Sequence, residues 1–92
     1  TTLSRTAVAG HRHADEAGGL SGAPVALRAE AVLQQLRQAA GPDYPLIGVG
    51  GVGAATDAAA RRAAGADLVQ IYTGFIYQGP ALTRACAAAL AA

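Results

Sequence analysis

Residues 45–53 read Pro-Leu-Ile-Gly-Val-Gly-Gly-Val-Gly, and this stretch decides the fold. A continuously apolar segment, residues 45–49, runs directly into a cluster of glycines. Continuously apolar strands are typical of parallel sheets whose two faces are both covered. Glycines at the end of such a strand leave backbone N–H groups uncovered, so an anion can approach them closely. The stretch predicts a buried parallel strand that ends in an anion-binding turn.

A second apolar segment, residues 68–72, ends in the same way, because Tyr72 is followed by Thr73 and Gly74. The carboxyl ends of parallel strands lie at one edge of a sheet, where ligands bind in α/β proteins. We therefore expect the two turns to lie side by side and to form a paired cradle for a phosphate, with the Thr73 hydroxyl as an additional donor.

Three segments have the spacing of helices. The first helix is predicted over residues 29–40, where apolar residues recur at helical intervals before Gly41-Pro42. The last helix is expected from Gly79-Pro80 onward. The middle helix, residues 55–64, has Asp57 in its first turn and Arg61 and Arg62 near its end, which complements the helix dipole. Gly65 is expected to cap it.

Residues 1–3 resemble the tail of a strand, and residues 4–24 form a polar stretch without periodicity. The predicted order is strand end, loop, helix, strand, helix, strand, helix. Two and a fraction βα units cannot cover a parallel sheet unaided. The expected fold class is therefore α/β, the C-terminal portion (about the last two to three βα units) of a (β/α)₈ TIM barrel. Barrels often bind phosphate at the loops after strands seven and eight.

Composition excludes several other classes of protein. The 92 residues carry a formal charge of +1, with seven Arg and no Lys, so no basic stripe for nucleic acid is present. No apolar run approaches the roughly 18 residues of a membrane span, and the N-terminus is not a signal peptide. The single Cys86 cannot form an internal disulfide.

Two nucleotide motifs were weighed against the phosphate cradle. Residues 48–53 satisfy G-x-G-x-x-G, but a dinucleotide fold also needs an acidic residue at the carboxyl end of the next strand. The nearest acidic residue, Asp67, precedes that strand and belongs to its opposite end. A P-loop needs a lysine, which this chain lacks.

The polar loop contains a second set of candidates. His11 and His13, with Asp15 and Glu16, could ligate a metal, but no third His or Cys lies nearby, so a solvated loop is favoured and no metal site is expected. Ser21 resembles a triad member only by composition. Cys86 is expected to be a small buried hydrophobe, and Tyr44 and Tyr77 are expected to pack inside.

The chain resembles the dihydroorotate dehydrogenase family. The resemblance rests on Gly-Gly-Leu-Ser-Gly at residues 18–22, Ile-Gly-Val-Gly-Gly-Val at 47–52, and the stretch from Ala64 to Pro80. It covers essentially all 92 residues and corresponds to the C-terminal quarter of the family's enzymes. It implies a (β/α)₈ barrel that holds FMN at the carboxyl ends of its strands and oxidises dihydroorotate to orotate in pyrimidine synthesis.

The resemblance also implies roles for particular residues. Gly22 and Gly51 would offer backbone donors to FMN, and Tyr72 and Thr73 would close the phosphate cradle. Thr1 would hydrogen-bond the substrate. The catalytic base would lie upstream, so no catalytic residue is expected in this chain.

Residues 71–80 are similar to the membrane-associated class that reduces quinones. That class implies a peripheral protein at the cytoplasmic face of the cell membrane, with the quinone reached through an N-terminal region outside this chain. One departure is Ala29-Glu30, where the class often has Ser-Thr at the start of a helix. Loss of that hydroxyl cap is expected to cost about 1 kcal/mol of helix stability.

These inferences make residues 1–92 a C-terminal fragment of one FMN-binding barrel domain, inactive by itself and dependent on the remainder of the barrel. The alternative is a non-catalytic module that binds a phosphorylated ligand or assembles with itself. Another phosphate-binding barrel, such as a phosphoribosyl isomerase, would share the glycine turns but not residues 18–22 or 75–80. We further expect Gly51→Val, in a complete barrel, to abolish tight FMN retention while leaving the fold largely intact.

Overall fold

The computed structural model describes residues 5–92, so Thr1 and the strand tail predicted at residues 1–3 lie outside the described part. Four helices and two strands follow two short 3₁₀ helices, Thr6–Val8 and Ala23–Val25. The elements in chain order are α1 (Ala26–Ala40), β1 (Ile47–Val49), α2 (Ala55–Ala63), β2 (Leu68–Gln70), α3 (Thr73–Gln78) and α4 (Pro80–Ala91). Of these helices in residues 5–92, none is long and apolar enough to cross a membrane.

The two strands pair in parallel, as the sequence predicts, with Gly48 opposite Val69 in the middle of the register. Gly48 and Val69 both lie on the face of the sheet that the helices cover. Gly48 brings the sheet and the helices close together, because a Cβ there would lie 3.1 Å from the Ala66 Cβ and 3.3 Å from the Arg61 Cβ. The result is one sheet layer and one helix layer, in a slab only 16 Å thick.

The core between the layers has two parts. One is centred on α2 and α4 and buries Val52, Ala58, Leu82 and Cys86. The other lies under α1 and buries Leu33, Ala64 and Ala66. Cys86 is a buried free thiol, as expected, and desolvation by this burial raises its pKa. Two small clusters, rather than one large core, hold the helices on the sheet.

The opposite face of the sheet is open within residues 5–92, which agrees with the expectation that these few βα units cannot cover a parallel sheet unaided. Side chains alternate between the faces of a strand, and those that point away from the helices are Ile47, Val49 and Leu68, which are 57%, 47% and 63% exposed. Within residues 5–92 no element covers them. The apolar pattern that predicted a covered strand therefore corresponds here to a face without a partner.

The first helix starts earlier than the apolar spacing predicts. It begins at Ala26, directly after the 3₁₀ turn, so Ala29 and Glu30 lie inside it. The predicted loss of a hydroxyl cap at Ala29-Glu30 is therefore wrong, because neither residue is at the helix terminus. Glu30 instead pairs with Arg61 of α2, at 2.8 Å.

The cap predicted at Gly65 is confirmed. Gly65 has φ +117°, and its N–H donates to Arg62 O at 3.0 Å, while the Ala66 N–H donates to Arg61 O at 3.0 Å. This pair of bonds ends α2 as a Schellman motif. A side chain at Gly65 would also lie 2.7 Å from the Arg37 Cγ, so glycine is required there for two reasons.

Arg37 forms hydrogen bonds to several groups at the end of the sheet opposite to the glycine turns. Its guanidinium donates to Gly65 O at 2.9 Å and to the Asp67 carboxylate at 2.8 Å. The Leu46 N–H also donates to Asp67, at 2.8 Å. The Leu46 N–H, together with Arg37, lowers the pKa of Asp67. Asp67 therefore lies at the amino end of β2, where the sequence placed it, and serves structure there.

Candidate functional site

The turns that follow β1 and β2 are in direct contact at the carboxyl edge of the sheet. A Cβ at Gly74 would lie 2.6 Å from Val52 O and 3.4 Å from the Gly53 Cα, so only glycine allows this approach. The Gln78 amide crosses between the turns and donates to Gly53 O at 2.6 Å. The paired arrangement that the sequence predicts for these turns is thus present.

A third segment, the Gly-Gly-Leu-Ser-Gly loop, joins the same edge. The Ser21 and Thr73 hydroxyl oxygens are 2.7 Å apart and share a hydrogen bond. Gly22 is buried with φ +88°, and a Cβ there would lie 3.1 Å from the Thr73 Cγ2. Gly22 and Thr73, which the sequence assigned to one site from positions 51 residues apart, are therefore neighbours.

Gly51 faces the first residue of α1. It has φ +76°, and a Cβ there would lie 2.5 Å from the Ala26 Cβ, 2.6 Å from its Cα and 2.8 Å from its N. A branched side chain would therefore collide with helix backbone. This collision contradicts the expectation that Gly51→Val leaves the fold largely intact, because the glycine is needed to pack the turn against α1.

The turn after β1 offers backbone donors that the protein does not use. Within residues 5–92 the N–H groups of Gly51 and Val52 make no hydrogen bond, whereas the Gly53 N–H donates to Asp57 at 2.9 Å. In the turn after β2, Tyr72 is 71% exposed and directly precedes α3, whose first N–H groups have no intrahelical acceptor. Uncovered N–H groups beside the Ser21 and Thr73 hydroxyls suit an oxyanion such as a phosphate.

Arg61 is a residue of this region whose burial the sequence did not predict. It lies in the last turn of α2, as expected for a residue that complements the helix dipole, but only 2% of it is exposed. Its guanidinium donates to Gly50 O at 2.7 Å and to Ala26 O at 2.8 Å, and pairs with Glu30. Its Nε has no partner in the described chain. The one available signal was its register on α2, three residues after the fully buried Ala58 and so on the inward side.

The remaining sequence candidates form other contacts. His13 Nδ1 is 2.8 Å from Glu16 Oε1, and Arg12 Nε donates to the other ring nitrogen at 3.0 Å. The described residues contain no group of three His, Cys, Asp or Glu side chains that could hold a metal. Ser21 bonds Thr73 rather than a histidine. Tyr44 and Tyr77 are 63% and 84% exposed, so the interpretation that they pack inside is wrong.

Parallel βα units with glycine turns that converge at the carboxyl edge define a class, the α/β proteins whose ligands bind at the carboxyl ends of their strands. The comparison with known proteins specifies the family. The dihydroorotate dehydrogenase family profile matches residues 1–92, and the chain belongs to this family. The members of this family are flavoprotein oxidoreductases of pyrimidine biosynthesis and use FMN.

Two similar relatives are both named dihydroorotate dehydrogenase (quinone). The protein of Leptothrix cholodnii is 64% identical over 90 residues, and that of Paraburkholderia phymatum is 62% identical over 91. These matches cover 98% and 99% of this chain, but the chain spans only 26% of each relative. The solved dihydroorotate dehydrogenase of Eimeria tenella in complex with ferulenol superposes with a TM-score of 0.84 at 31% identity, over 98% of this chain and 24% of that one.

Proposed function

We propose that this chain is the FMN-phosphate-binding part of a quinone-dependent dihydroorotate dehydrogenase, which oxidises dihydroorotate to orotate in de novo pyrimidine biosynthesis. The observation that carries the proposal is that Gly22 lies against Thr73 at the carboxyl edge of the sheet, while the turn after the neighbouring strand leaves the Gly51 N–H unused. The chain supplies the end of the site that grips the cofactor, and residues outside it supply the rest.

The phosphate would be held mainly by backbone. The N–H groups of Gly51 and Val52 donate from one turn, and those around Tyr72 and Thr73 donate from the other. The Ser21 hydroxyl orients the Thr73 hydroxyl, and Gly22 lets its backbone approach the same place. When bound, FMN supplies the hydride acceptor of the oxidation. The residues of this chain fix where it sits.

The remainder of a (β/α)₈ barrel would complete the protein. The exposed apolar face formed by Ile47, Val49 and Leu68 is what a barrel buries in its interior. In this proposal residues 1–92 are the C-terminal fragment of a single FMN-binding domain. Thr1 contacts the substrate, and the catalytic base is carried by another part of the barrel.

The quinone-dependent class is supported by the names of the similar relatives and by the stretch from Ile71 to Pro80. In this class a quinone reoxidises the flavin. The quinone is reached through a region outside this chain. The complete protein would then lie peripherally at the cytoplasmic face of the cell membrane.

A chimeric enzyme tests the proposal. The 90 matching residues of the Leptothrix cholodnii relative are replaced by this chain, and the unmodified relative is the control. The chimera is expected to purify with bound FMN, to be bleached by dihydroorotate, and to be reoxidised by a ubiquinone or menaquinone analogue. Stopped-flow absorbance separates the two half-reactions.

Two results of this experiment would contradict the proposal. A folded chimera that retains no flavin, while the control retains it, would refute the assignment of the phosphate site. Rapid reoxidation by fumarate or NAD⁺, but not by quinones, would refute the class while leaving the cofactor assignment in place.

A further inference from the structure

Arg61 is a fully buried charged residue to which the proposed function gives no role. Its charge is balanced by the Glu30 carboxylate at 2.8 Å, which is the arrangement that a buried guanidinium requires. Its Nη2 does not donate to a side chain. It donates to two backbone carbonyls, those of Gly50 and Ala26, at 2.7 and 2.8 Å.

The bond to Gly50 fixes the direction of a peptide group in the turn. The carbonyl of Gly50 and the N–H of Gly51 belong to the same peptide unit, and no described peptide bond is cis. In a planar trans peptide the C=O and N–H point in opposite directions. Since buried Arg61 holds the Gly50 carbonyl on the inner side, the Gly51 N–H points away from Arg61 and from the buried side of the turn.

This peptide would otherwise have little reason to keep that direction. Gly50 and Gly51 have φ of +104° and +76°, and neither has a Cβ to limit rotation of the peptide between them. A half-turn would exchange the outward N–H for an outward carbonyl oxygen. A carbonyl repels a phosphate where an N–H would bind it, so the direction of this one peptide decides whether the turn accepts an anion.

We infer that Arg61 is a positioning residue for phosphate recognition, acting through the Gly50–Gly51 peptide and anchored by Glu30 and Ala26 O. The inference rests on the proposed function, because it takes the turn after β1 as the phosphate site. It goes further in assigning the orientation of the donor to one side chain that never touches the ligand.

The test compares the binding of FMN with the binding of riboflavin, which lacks the phosphate. Both are measured on the chimeric enzyme after its own flavin has been removed. Dissociation constants are measured from the quenching of flavin fluorescence. Arg61→Met is expected to lower the preference for FMN over riboflavin by about 10- to 100-fold, the loss of one hydrogen bond to a charged group. Arg61→Lys keeps a donor for Gly50 O and is expected to restore most of that preference.

The matched control is Arg62→Met. Arg62 is the next residue on α2 but is exposed, and it donates to Leu90 O and Ala92 O at the end of α4. This variant also loses a guanidinium, but one that has no contact with the turn. Its preference for FMN over riboflavin is expected to equal that of the parent chimera.

Each outcome decides between distinct conclusions. A parent chimera that binds FMN and riboflavin equally would refute the phosphate site itself. Two results would overturn the role of Arg61 when the parent chimera prefers FMN. In one, the Arg61→Met variant keeps that preference, and in the other it loses affinity for FMN and riboflavin equally. If Arg61→Met does not fold, Arg61→Gln decides by the same ratio, and failure of both to fold would make Arg61 purely structural and also overturn the inference.

Discussion

Gly51→Ala is expected to destabilise the protein through a collision with α1, in addition to any backbone strain. Alanine at φ +76° adopts a conformation that L-residues rarely take, which costs about 1–3 kcal/mol. Its Cβ would also lie within 2.8 Å of the Ala26 Cβ, Cα and N. Such overpacking typically costs a further 1–3 kcal/mol or so. The total expected loss is roughly 2–6 kcal/mol.

Gly41 provides a matched control for the backbone term. Its φ of +83° is close to that of Gly51, but a Cβ there would meet nothing within 4 Å. Its ψ of −179° places it in a region reserved for glycine, so Gly41→Ala carries a full backbone penalty of about 1–3 kcal/mol. Any additional loss in Gly51→Ala is then the cost of the collision.

The assay is urea unfolding of the flavin-free chimera, followed by far-UV circular dichroism, for the parent and for both variants. Measurements without flavin keep ligand binding out of the comparison. We expect Gly51→Ala to lower the free energy of unfolding by at least about 1 kcal/mol more than Gly41→Ala does. Equal losses in the two variants would refute the close approach between the glycine turn and α1.

Three further predictions concern other parts of the chain. In a double-mutant cycle of Ser21→Ala and Thr73→Val in the chimera, the coupling energy in urea unfolding should be about 0.5–1.5 kcal/mol, whereas additive losses would argue against the hydroxyl bond. Because the pKa of Asp67 is lowered in the folded chain, its contribution to stability is present above its ordinary value of 3.8 and is lost as the pH falls through the lower folded value. Acid titration of chimera stability should therefore be less steep below that pH in Asp67→Asn, and unchanged steepness would contradict the ionic contacts of Asp67. The isolated 92 residues should aggregate and show no dihydroorotate oxidation, since the sheet exposes Ile47, Val49 and Leu68; a monomer in analytical ultracentrifugation that unfolds cooperatively would count against this, and a discrete homo-oligomer would favour the self-assembling module.

The features that the sequence predicted well depend on local chemistry. The parallel pairing of β1 and β2 follows from two short apolar runs separated by a helix, and the cap at Gly65 follows from glycine after the last helical turn. The meeting of Gly22 with Thr73 was suggested by the family resemblance, and the geometry brings them together. The ligand roles of Gly22, Gly51, Tyr72 and Thr73 stay predictions.

The features that escaped prediction depend on contacts distant in sequence or on very short elements. Helix α3 has only six residues and contains Gly74, so it has no recognisable apolar period. Arg61 is paired because Glu30, 31 residues away, and the Gly50 carbonyl converge on it. Its register on α2 indicates the inward side, but no local pattern reveals these partners. The small number of βα units predicts that the sheet stays partly uncovered, but it does not show which face is open, because the apolar residues have the same pattern whether or not something covers them.

The pairing of Arg61 with Glu30 also has a kinetic consequence. The only guanidinium that the described chain places under the glycine turn is already neutralised, so an approaching anion meets uncharged N–H and O–H dipoles at this edge. Attraction by dipoles declines more steeply with distance than attraction by a net charge, which steers ligands from afar. This edge therefore holds a phosphate that has already arrived but does little to draw one in, and its contribution to capture should be nearly independent of ionic strength.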